Sequence, residues 1–255
     1  GRGLIGAQMA GRTLVVGDVH GDLGHLNLLL GRLPALDAGD TLVFLGDYLD
    51  RGPDSKGVIE RLMALHDELP AKLVFLRGNH EDGWLRAMNG GFPEFLLPQP
   101  NGCWACVRSY RGRPLPEANP DQEDLEALFS ASFFPAAVRT WLSGLPHFYE
   151  DEHAIYVHAG LPHKDGSFLH PSQAEDRMVL LWSRSEKFFS EYAGKRVVCG
   201  HTATEELPEL STYTPEDPTD LWYRGDVVAI DTRCGKEGGF LTALELPALR
   251  VYESR

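Results

Sequence analysis

Three consecutive units of the same kind constrain the fold of this chain more than any other feature. Each unit is a short apolar and β-branched run, then a polar loop, then a stretch with apolar residues at helical spacing. The apolar runs are RTLVV from residue 12, TLVFL from residue 41 and AKLVFL from residue 71. Such runs predict buried strands, and strand–loop–helix units in series imply parallel strands joined by right-handed crossovers. The first half of the chain is therefore predicted to be βαβαβα.

The second half lacks this regularity. Prolines and Asn-Gly pairs are dense over residues 89–120, which predicts a loop insertion on the active-site side. Helices are expected in DQEDLEALF, PAAVRTWLSGL and SQAEDRMVLLWSR, and short strands in HFYE, AIYV, KRVVC and the C-terminal segment. These later strands are predicted to be mostly antiparallel. The fold class is thus mixed α/β, with one sheet or a pair of sheets and helices outside.

Composition and charge limit the class of protein. A hydrophobic content of 43% in 255 residues provides for one large core, so residues 9–255 are predicted to form a single domain. Gly1 to Gln8 precede Met9 and are interpreted as an expression remnant. A net charge of −13 argues against nucleic-acid or anionic-membrane partners and favours a protein or small-molecule substrate. Without an apolar segment of about 20 residues or a secretory signal, a cytoplasmic protein is expected. The sequence does not indicate an oligomeric state.

The four cysteines do not form a recognisable metal site. Cys103 and Cys106 make one CxxC pair, but no second pair of thiols or histidines follows at comparable spacing. A structural zinc ion, a local disulfide and a redox pair are the alternatives. Reduced thiols are the interpretation that we favour for a cytoplasmic protein.

Polar side chains with metal-binding chemistry follow five of the predicted strands. Open α/β sheets carry their chemistry at the carboxyl ends of strands, so these residues are expected to converge. Carboxylate, amide and imidazole groups of this kind suit Mn²⁺, Fe²⁺ or Zn²⁺. The residues at the five strand ends are Asp18 and His20; Asp47, Asp50 and Arg51; Arg77, Asn79, His80 and Glu81; His158; and His201.

Five motifs at these strand ends carry a family resemblance. They are GDVHG at 17–21, GDYLDRG at 46–52, RGNHE at 77–81, HAG at 158–160 and GHT at 200–202. In order and spacing the set resembles the phosphoprotein phosphatase branch of the calcineurin-like metallophosphoesterases, in particular the small bacterial and phage Ser/Thr phosphatases. The resemblance extends from about Thr13 to Leu246. It implies a four-layer β-sandwich flanked by helices.

The resemblance also implies a centre of two divalent ions. Asp18 and His20 would bind the first ion, and Asp47 would bridge the two. Asn79, His158 and His201 would bind the second. The expected ions are Mn²⁺, with Fe or Zn as alternatives, and the expected mechanism is direct attack on phosphorus by a hydroxide that both ions share.

Further residues match catalytic and phosphate-binding positions of the family. His80 would protonate the leaving alkoxide, and Asp50 would orient the His80 imidazole. Arg51 and Arg184, together with Asn79, would bind the phosphate. Arg77 is interpreted as a core ion pair or a substrate contact, and Glu81 as a support for the ligands. The turn at Asp231 to Arg233 resembles the family's DTG segment, with arginine in place of glycine.

Three functions are compatible with these motifs. The first is hydrolysis of phosphoserine and phosphothreonine in proteins, with phosphotyrosine and aryl phosphates as further substrates. The second is hydrolysis of dinucleoside tetraphosphates or related nucleotides by the same ions. The third is an inactive metal-binding scaffold. GNHE together with GDYLDRG favours the first, and the complete set of ligands argues against the third.

Overall fold

The three predicted units open the fold and lie side by side. A computed structural model of the protein describes residues 11–113, 120–207 and 217–255. The strands of the three units are β1 (Thr13–Val16), β2 (Thr41–Phe44) and β3 (Lys72–Phe75), and their helices are α1 (Leu23–Arg32), α2 (Ser55–Glu68) and α3 (Asn79–Met88). β2 pairs in parallel with both β1 and β3. The predicted βαβαβα order is thus confirmed.

Aspartate side chains at the ends of the polar loops cap the N-termini of the first two helices. The carboxylate of Asp22 accepts a hydrogen bond from the backbone N–H of His25, and that of Asp54 accepts one from Gly57. Each satisfies a backbone donor that the first helical turn leaves without an intrahelical partner. The helices therefore start directly after the loops that carry Asp18, His20, Asp50 and Arg51.

Later strands complete two five-stranded sheets. They are β4 (Phe148–Glu150), β5 (Ile155–Val157), β6 (His163–Lys164), β7 (Ser167–Phe168), β8 (Val197–Cys199), β9 (Trp222–Arg224), β10 (Val227–Ala229), β11 (Thr242–Leu246) and β12 (Arg250–Glu253). The first sheet has the order β12-β11-β1-β2-β3 and the second the order β4-β5-β8-β10-β9, while β6 and β7 form a separate hairpin.

Pairing in the second sheet departs in part from the antiparallel expectation. β4 and β9 are antiparallel to their neighbours, as predicted, but β5, β8 and β10 run parallel to one another. The loops after β5, β8 and β10 consequently leave the same edge of the sheet. Short strands give little sequence information on direction, because both kinds of pairing use the same alternating pattern.

Alternating side chains separate the fold into four layers. Inward-facing residues such as Val15 and Val43 meet Tyr156, Val198 and Val228 of the other sheet in one apolar layer. On its outer face the first sheet packs against the helices of the first half. The outer face of the second sheet packs against α8 (Met178–Trp182) and α9 (Glu186–Glu191). This helix–sheet–sheet–helix order agrees with the predicted sandwich.

The prediction of a loop for residues 89–120 is wrong over the part that the structure describes, residues 89–113. This segment contains α4 (Pro93–Leu96), a 3₁₀ turn at Gln99–Asn101 and α5 (Cys103–Arg111), whose inner face joins the core of the first half. Pro93 and Pro100 lie in the first turns of these elements, where a missing N–H costs no hydrogen bond. Residues 114–119 of the predicted loop and Gly1 to Gln8 lie outside the described residues.

Two further helices agree with the sequence, and one does not. α6 (Gln122–Ser130) and α7 (Ala136–Ser143) lie in the predicted segments. The helix expected from SQAEDRMVLLWSR is instead a 3₁₀ turn at Pro171–Gln173 followed, after an irregular stretch, by α8. None of the helices in the described ranges combines the length and the apolar character that a membrane span requires.

Candidate metal centre and active site

The five motif loops meet at one end of the two facing sheets. The loops come from both sheets, after strands β1, β2, β3, β5 and β8. Their predicted site residues are nearly all buried, with at most 7% of the residue surface exposed. The buried members are Asp18, His20, Asp47, Asp50, Asn79, His80, His158 and His201.

An unusual backbone conformation marks several of these residues. His20, Asp47, Asp50, Arg51 and His201 all have positive φ angles, between 45° and 73°. For residues with a side chain this left-handed region costs roughly 1–2 kcal/mol each. Such conformations persist where surrounding contacts hold them, and they often occur at functional sites. The sharp turns bring side chains from separate strands toward one point.

Two motif glycines allow carboxylates to approach the backbone. A Cβ atom on Gly78 would lie 2.1 Å from Oδ1 of Asp47, and one on Gly200 would lie 2.1 Å from Oδ1 of Asp18. Both distances are far below van der Waals contact. Asp18 of the first sheet also accepts hydrogen bonds from the backbone N–H of His201, at 3.2 and 3.3 Å. Glycine at 200 therefore brings a loop of the second sheet against Asp18.

Asp47 lies at the centre of the donor set. Its Oδ2 is 3.4 Å from Nε2 of His20 and 3.4 Å from Nε2 of His158. The same oxygen is 3.9 Å from Nε2 of His80. Nε2 of His20 is in turn 3.9 Å from Oδ2 of Asp18. One carboxylate thus faces donors from both predicted ion-binding groups.

The second group of donors surrounds the Asn79 side chain. Oδ1 of Asn79 is 2.9 Å from Nε2 of His158 and 3.0 Å from Nδ1 of His201. His158 donates from Nδ1 to the carbonyl oxygen of Leu45 at 2.9 Å, which directs Nε2 toward Asn79 and Asp47. A half-turn of the amide would instead place its NH₂ group between the two imidazoles and Asp47.

Electrostatics at these residues favour a cation. Burial lowers the pKa of His158, but the charge of Asp47 outweighs this and raises the pKa to about 10. Burial raises the pKa of Asp47, yet His158 and His80 bring it well below its ordinary value. Burial, together with Arg51, lowers the pKa of His20 to about 4, so its imidazole is neutral at pH 7. Burial and Asp231 raise the pKa of Asp18. The buried carboxylates need a positive charge nearby. A proton on His158 provides it here, and a bound metal ion would take the place of that proton.

The donors also fit a divalent ion in composition and spacing. His20, Asp47 and His80 have ligand atoms within 4.8 Å of one another, as do Asp47, His158 and His201. Nδ1 of His20 donates to the carbonyl oxygen of Leu49 at 2.8 Å, which leaves the Nε2 lone pair directed into the site. Buried imidazole and carboxylate donors without thiolates suit Mn²⁺, Fe²⁺ or Zn²⁺.

His80 and Asp50 form a buried pair beside these donors. Nδ1 of His80 donates to Oδ2 of Asp50 over 2.6 Å. The backbone N–H of His80 donates to Oδ1 of Asp47 at 3.0 Å, and that of Asp50 donates to the hydroxyl oxygen of Ser55 at 2.9 Å. The ring is therefore held at Nδ1 by Asp50, and backbone hydrogen bonds fix both residues of the pair. Nε2 of His80 faces the cluster around Asp47, 3.9 Å from Oδ2 of that carboxylate.

The two predicted phosphate-binding arginines differ in position. Nη1 of Arg51 lies 2.8 Å from Nε2 of His20, and its Nε donates to the carbonyl oxygen of Pro100. Arg184 is more exposed, with Nη1 donating to the hydroxyl of Thr202 at 3.4 Å. Arg51 thus contacts the site directly, while Arg184 contacts the loop that carries His201.

Arg77 and Glu81 have supporting contacts. Arg77 pairs with Asp82 at 3.5 Å and donates to the carbonyl oxygen of Ser143, which matches the core ion pair weighed from the sequence. Glu81 accepts backbone hydrogen bonds from Asp47 at 2.6 Å, Tyr48 at 3.0 Å and Gly78 at 3.1 Å. Its carboxylate joins the loop after β2 to the first turn of α3.

The sequence motifs do not identify every residue that contacts the buried pair. Nε1 of Trp84 donates to Oδ1 of Asp50 at 2.9 Å, and Sγ of Cys103 lies 3.8 Å from Oδ2 of Asp50. Trp84 follows His80 by four residues, which places both on one face of a helix, and this spacing was the available signal. All four cysteines are buried free thiols, in agreement with the prediction of reduced thiols.

Comparison with known proteins identifies the class. The chain belongs to the calcineurin-like phosphoesterase family, whose model matches residues 11–205. Parts of it also resemble curated protein phosphatases. It is 39% identical over 85 residues to serine/threonine-protein phosphatase SIT4 of Candida albicans, which covers 32% of this chain and 27% of SIT4. It is 37% identical over 82 residues to serine/threonine-protein phosphatase PP1-1 of Saccharomyces cerevisiae, covering 32% and 26%. These alignments span about a quarter of each relative's length.

Solved structures resemble the chain over nearly its whole length. A candidate diadenosine tetraphosphatase has a TM-score of 0.60 and 24% identity, covering 96% of this chain and 94% of that one. A Saccharomyces cerevisiae serine/threonine phosphatase with similarity to human PP5 has a TM-score of 0.51 and 19% identity, covering 96% and 79%. At these identities the likeness concerns the fold, and it confirms the predicted metallophosphoesterase architecture.

Proposed function

We propose that this protein is a metal-dependent phosphomonoesterase that hydrolyses phosphoserine and phosphothreonine in proteins. The observation that carries the proposal is the convergence of buried metal-binding side chains on Asp47, beside the hydrogen-bonded pair of His80 and Asp50. Membership of the phosphoesterase family supports the reaction class. Partial similarity to serine/threonine phosphatases supports the substrate.

Six side chains would hold two ions. Two divalent cations, Mn²⁺ by expectation and Fe or Zn as alternatives, would supply an acidified water and positive charge against the phosphoryl oxygens. The proposed ligands are Asp18, His20, Asp47, Asn79, His158 and His201. Asp47 is proposed to contact both ions because its Oδ2 is equally distant, at 3.4 Å, from imidazoles of the two groups.

The remaining site residues would bind phosphate and transfer a proton. Arg51 would bind phosphoryl oxygens with planar paired donors, while Asn79 and the more exposed Arg184 would add further contacts. His80 would donate its Nε2 proton to the leaving oxygen. Asp50 accepts from the opposite ring nitrogen at 2.6 Å and would stabilise the charged imidazole. A serine alkoxide is a poor leaving group, so this acid would contribute about 10²–10⁴ in rate.

A second candidate substrate is a dinucleoside tetraphosphate. The specific observation in its favour is the whole-chain fold similarity to a candidate diadenosine tetraphosphatase. The same proposed ions and arginines could accommodate either phosphate compound.

An inactive scaffold is disfavoured, because the buried pair of His80 and Asp50 would have no purpose in a protein that only binds metal. Four buried free thiols support a reducing, cytoplasmic location.

A competition experiment distinguishes the substrates. Phosphoserine, phosphothreonine and phosphotyrosine peptides compete with diadenosine tetraphosphate for the Mn²⁺-supplied protein, and kcat/KM is obtained for each. We expect the phosphoserine and phosphothreonine peptides to have the highest values. A higher value for diadenosine tetraphosphate would support the second candidate. Turnover of none of these compounds would contradict both.

A further inference from the structure

Asp50 has a donor on each of its two carboxylate oxygens. Its Oδ2 accepts from His80 at 2.6 Å, and its Oδ1 accepts from the indole N–H of Trp84 at 2.9 Å. None of the Asp50 surface is exposed to solvent. Water therefore does not compete for either oxygen, and the two protein donors together fix the plane of the carboxylate.

The indole has little freedom to move. Trp84 is fully buried, and its ring packs edge-on against Phe95, Phe133 and Phe134 at centroid distances of 5.3 to 6.3 Å. Trp84 and His80 are four residues apart on α3, so both side chains leave the same helix face toward Asp50. The donor of Oδ1 and the donor of Oδ2 thus belong to one rigid element.

A carboxylate held at one oxygen only could rotate. Rotation about the terminal bond of an aspartate side chain meets a broad and nearly two-fold energy profile. Removal of the indole N–H would leave Asp50 anchored mainly through His80, whose own ring depends on Asp50 for its orientation. The sulfur of Cys103 lies 3.8 Å from Oδ2, and the thiol of Cys106 also contacts Asp50, but thiols are weak donors.

We propose that Trp84 is a positioning residue for proton donation. It fixes the Asp50 carboxylate, and through it the direction in which Nε2 of His80 meets the leaving oxygen. This inference rests on the proposed phosphomonoesterase function. It predicts that the indole N–H matters most for substrates whose leaving group needs a proton.

Trp84→Phe tests this role through substrate dependence. We expect kcat for a phosphoserine peptide to fall about 10- to 100-fold, the range for a hydrogen bond to a charged group, with KM little changed. For p-nitrophenyl phosphate, whose leaving group needs little protonation, the loss should be no more than about threefold. In an Asp50→Asn background, Trp84→Phe should have no additional effect.

A matched control is available in the second sheet. Trp222 is 95% buried and lies 138 residues after Trp84 in the sequence. Its indole nitrogen has no hydrogen-bond partner among the described residues. Trp222→Phe should therefore leave the ratio of the two substrate activities unchanged. If Trp84→Phe does not fold, 3-benzothienylalanine at position 84 keeps the ring shape and removes only the N–H. An equal loss on both substrates, or full additivity with Asp50→Asn, would overturn the proposal.

A spectroscopic measurement separates this proposal from the function on which it rests. In ¹⁵N-histidine-labelled, Zn²⁺-supplied protein, the Nδ1 proton of His80 should resonate far downfield because of its short bond to Asp50. This resonance should shift or broaden in the Trp84→Phe variant and remain in place in the Trp222→Phe variant. An unchanged resonance in Trp84→Phe would contradict positioning, even where turnover is absent. Wild-type protein without phosphomonoesterase activity would contradict the proposed function alone.

Discussion

The close approach of Asp18 to Gly200 gives a sharp test of the metal site. A methyl group added at position 200 would lie 2.1 Å from Oδ1 of Asp18, whereas ordinary contacts begin near 3.4 Å. The carboxylate or the loop that carries His201 must therefore shift by more than about 1 Å. A metal–ligand bond tolerates a change in length of only about 0.2 Å. Gly200→Ala consequently displaces a proposed ligand of at least one of the two ions, Asp18 of the first or His201 of the second.

We expect Gly200→Ala to weaken divalent-ion binding by about 10- to 100-fold, comparable to the loss of a group that orients a ligand. This corresponds to about 1.4 to 2.7 kcal/mol of binding free energy. Calorimetric titration of the metal-free protein with Mn²⁺ measures the affinity directly. Activity at saturating Mn²⁺ then shows how much of the loss in turnover is recovered.

Gly31→Ala is the matched control. Gly31 lies in α1, and an added methyl group would have no atom within 4 Å. This variant should bind Mn²⁺ as the wild type does and gain up to about 1 kcal/mol of stability from the better helix former. Wild-type Mn²⁺ affinity in Gly200→Ala would refute the argument that Asp18 and the His201 loop are held together for metal binding.

Three further outcomes are expected. His80→Asn should retain its metal content and lose about 10²–10⁴ in kcat on phosphoserine peptides but much less on p-nitrophenyl phosphate, and equal losses would exclude proton donation by His80. Burial, with Arg77 and Arg177, lowers the pKa of His147 to about 4 from 6.5, so the unfolded chain binds more protons between these values and stability falls as the pH is lowered through them. His147→Gln should flatten this dependence in urea unfolding at pH 7 and pH 5, and an unchanged slope would contradict it. Chelation should lower the melting temperature and abolish turnover, and added Mn²⁺ should restore both the melting temperature and the turnover. Full activity after chelation would exclude a metal mechanism.

The site loops could be predicted because the motifs contain the functional side chains together with glycines that make room for the side chains of other motifs. Gly78 and Gly200 lie next to the backbone positions where Asp47 and Asp18 approach. Their order along the chain, at the ends of apolar strands, was sufficient to predict convergence. The residue types also predicted the chemistry, since buried carboxylates and imidazoles need a compensating cation.

Two features were missed in the sequence because they depend on where helices begin. The helical spacing of the third unit predicts a helix in WLRAM, from Trp84. In the structure α3 begins at Asn79, with Glu81 accepting from the backbone N–H of Gly78. With that start, His80 and Trp84 share a face, and the contact of Trp84 with Asp50 follows. Similarly, Pro98 and Pro100 lie at the start of the 3₁₀ turn that ends before α5, so neither proline interrupts that helix. Propensity alone does not distinguish a proline that starts a helix from one that excludes it.

The number of divalent ions bound per chain, in wild type and in Asp47→Asn, tests the central proposal most directly. Metal analysis and Mn²⁺ titration, with phosphoserine-peptide turnover measured on the same samples, give stoichiometry and function together. We expect two ions per wild-type chain. Asp47→Asn should bind at most one ion tightly and lose nearly all turnover, because its Oδ2 lies 3.4 Å from imidazoles of both groups. Two tightly bound ions and near-wild-type turnover in Asp47→Asn would contradict the proposal that Asp47 bridges a catalytic metal pair.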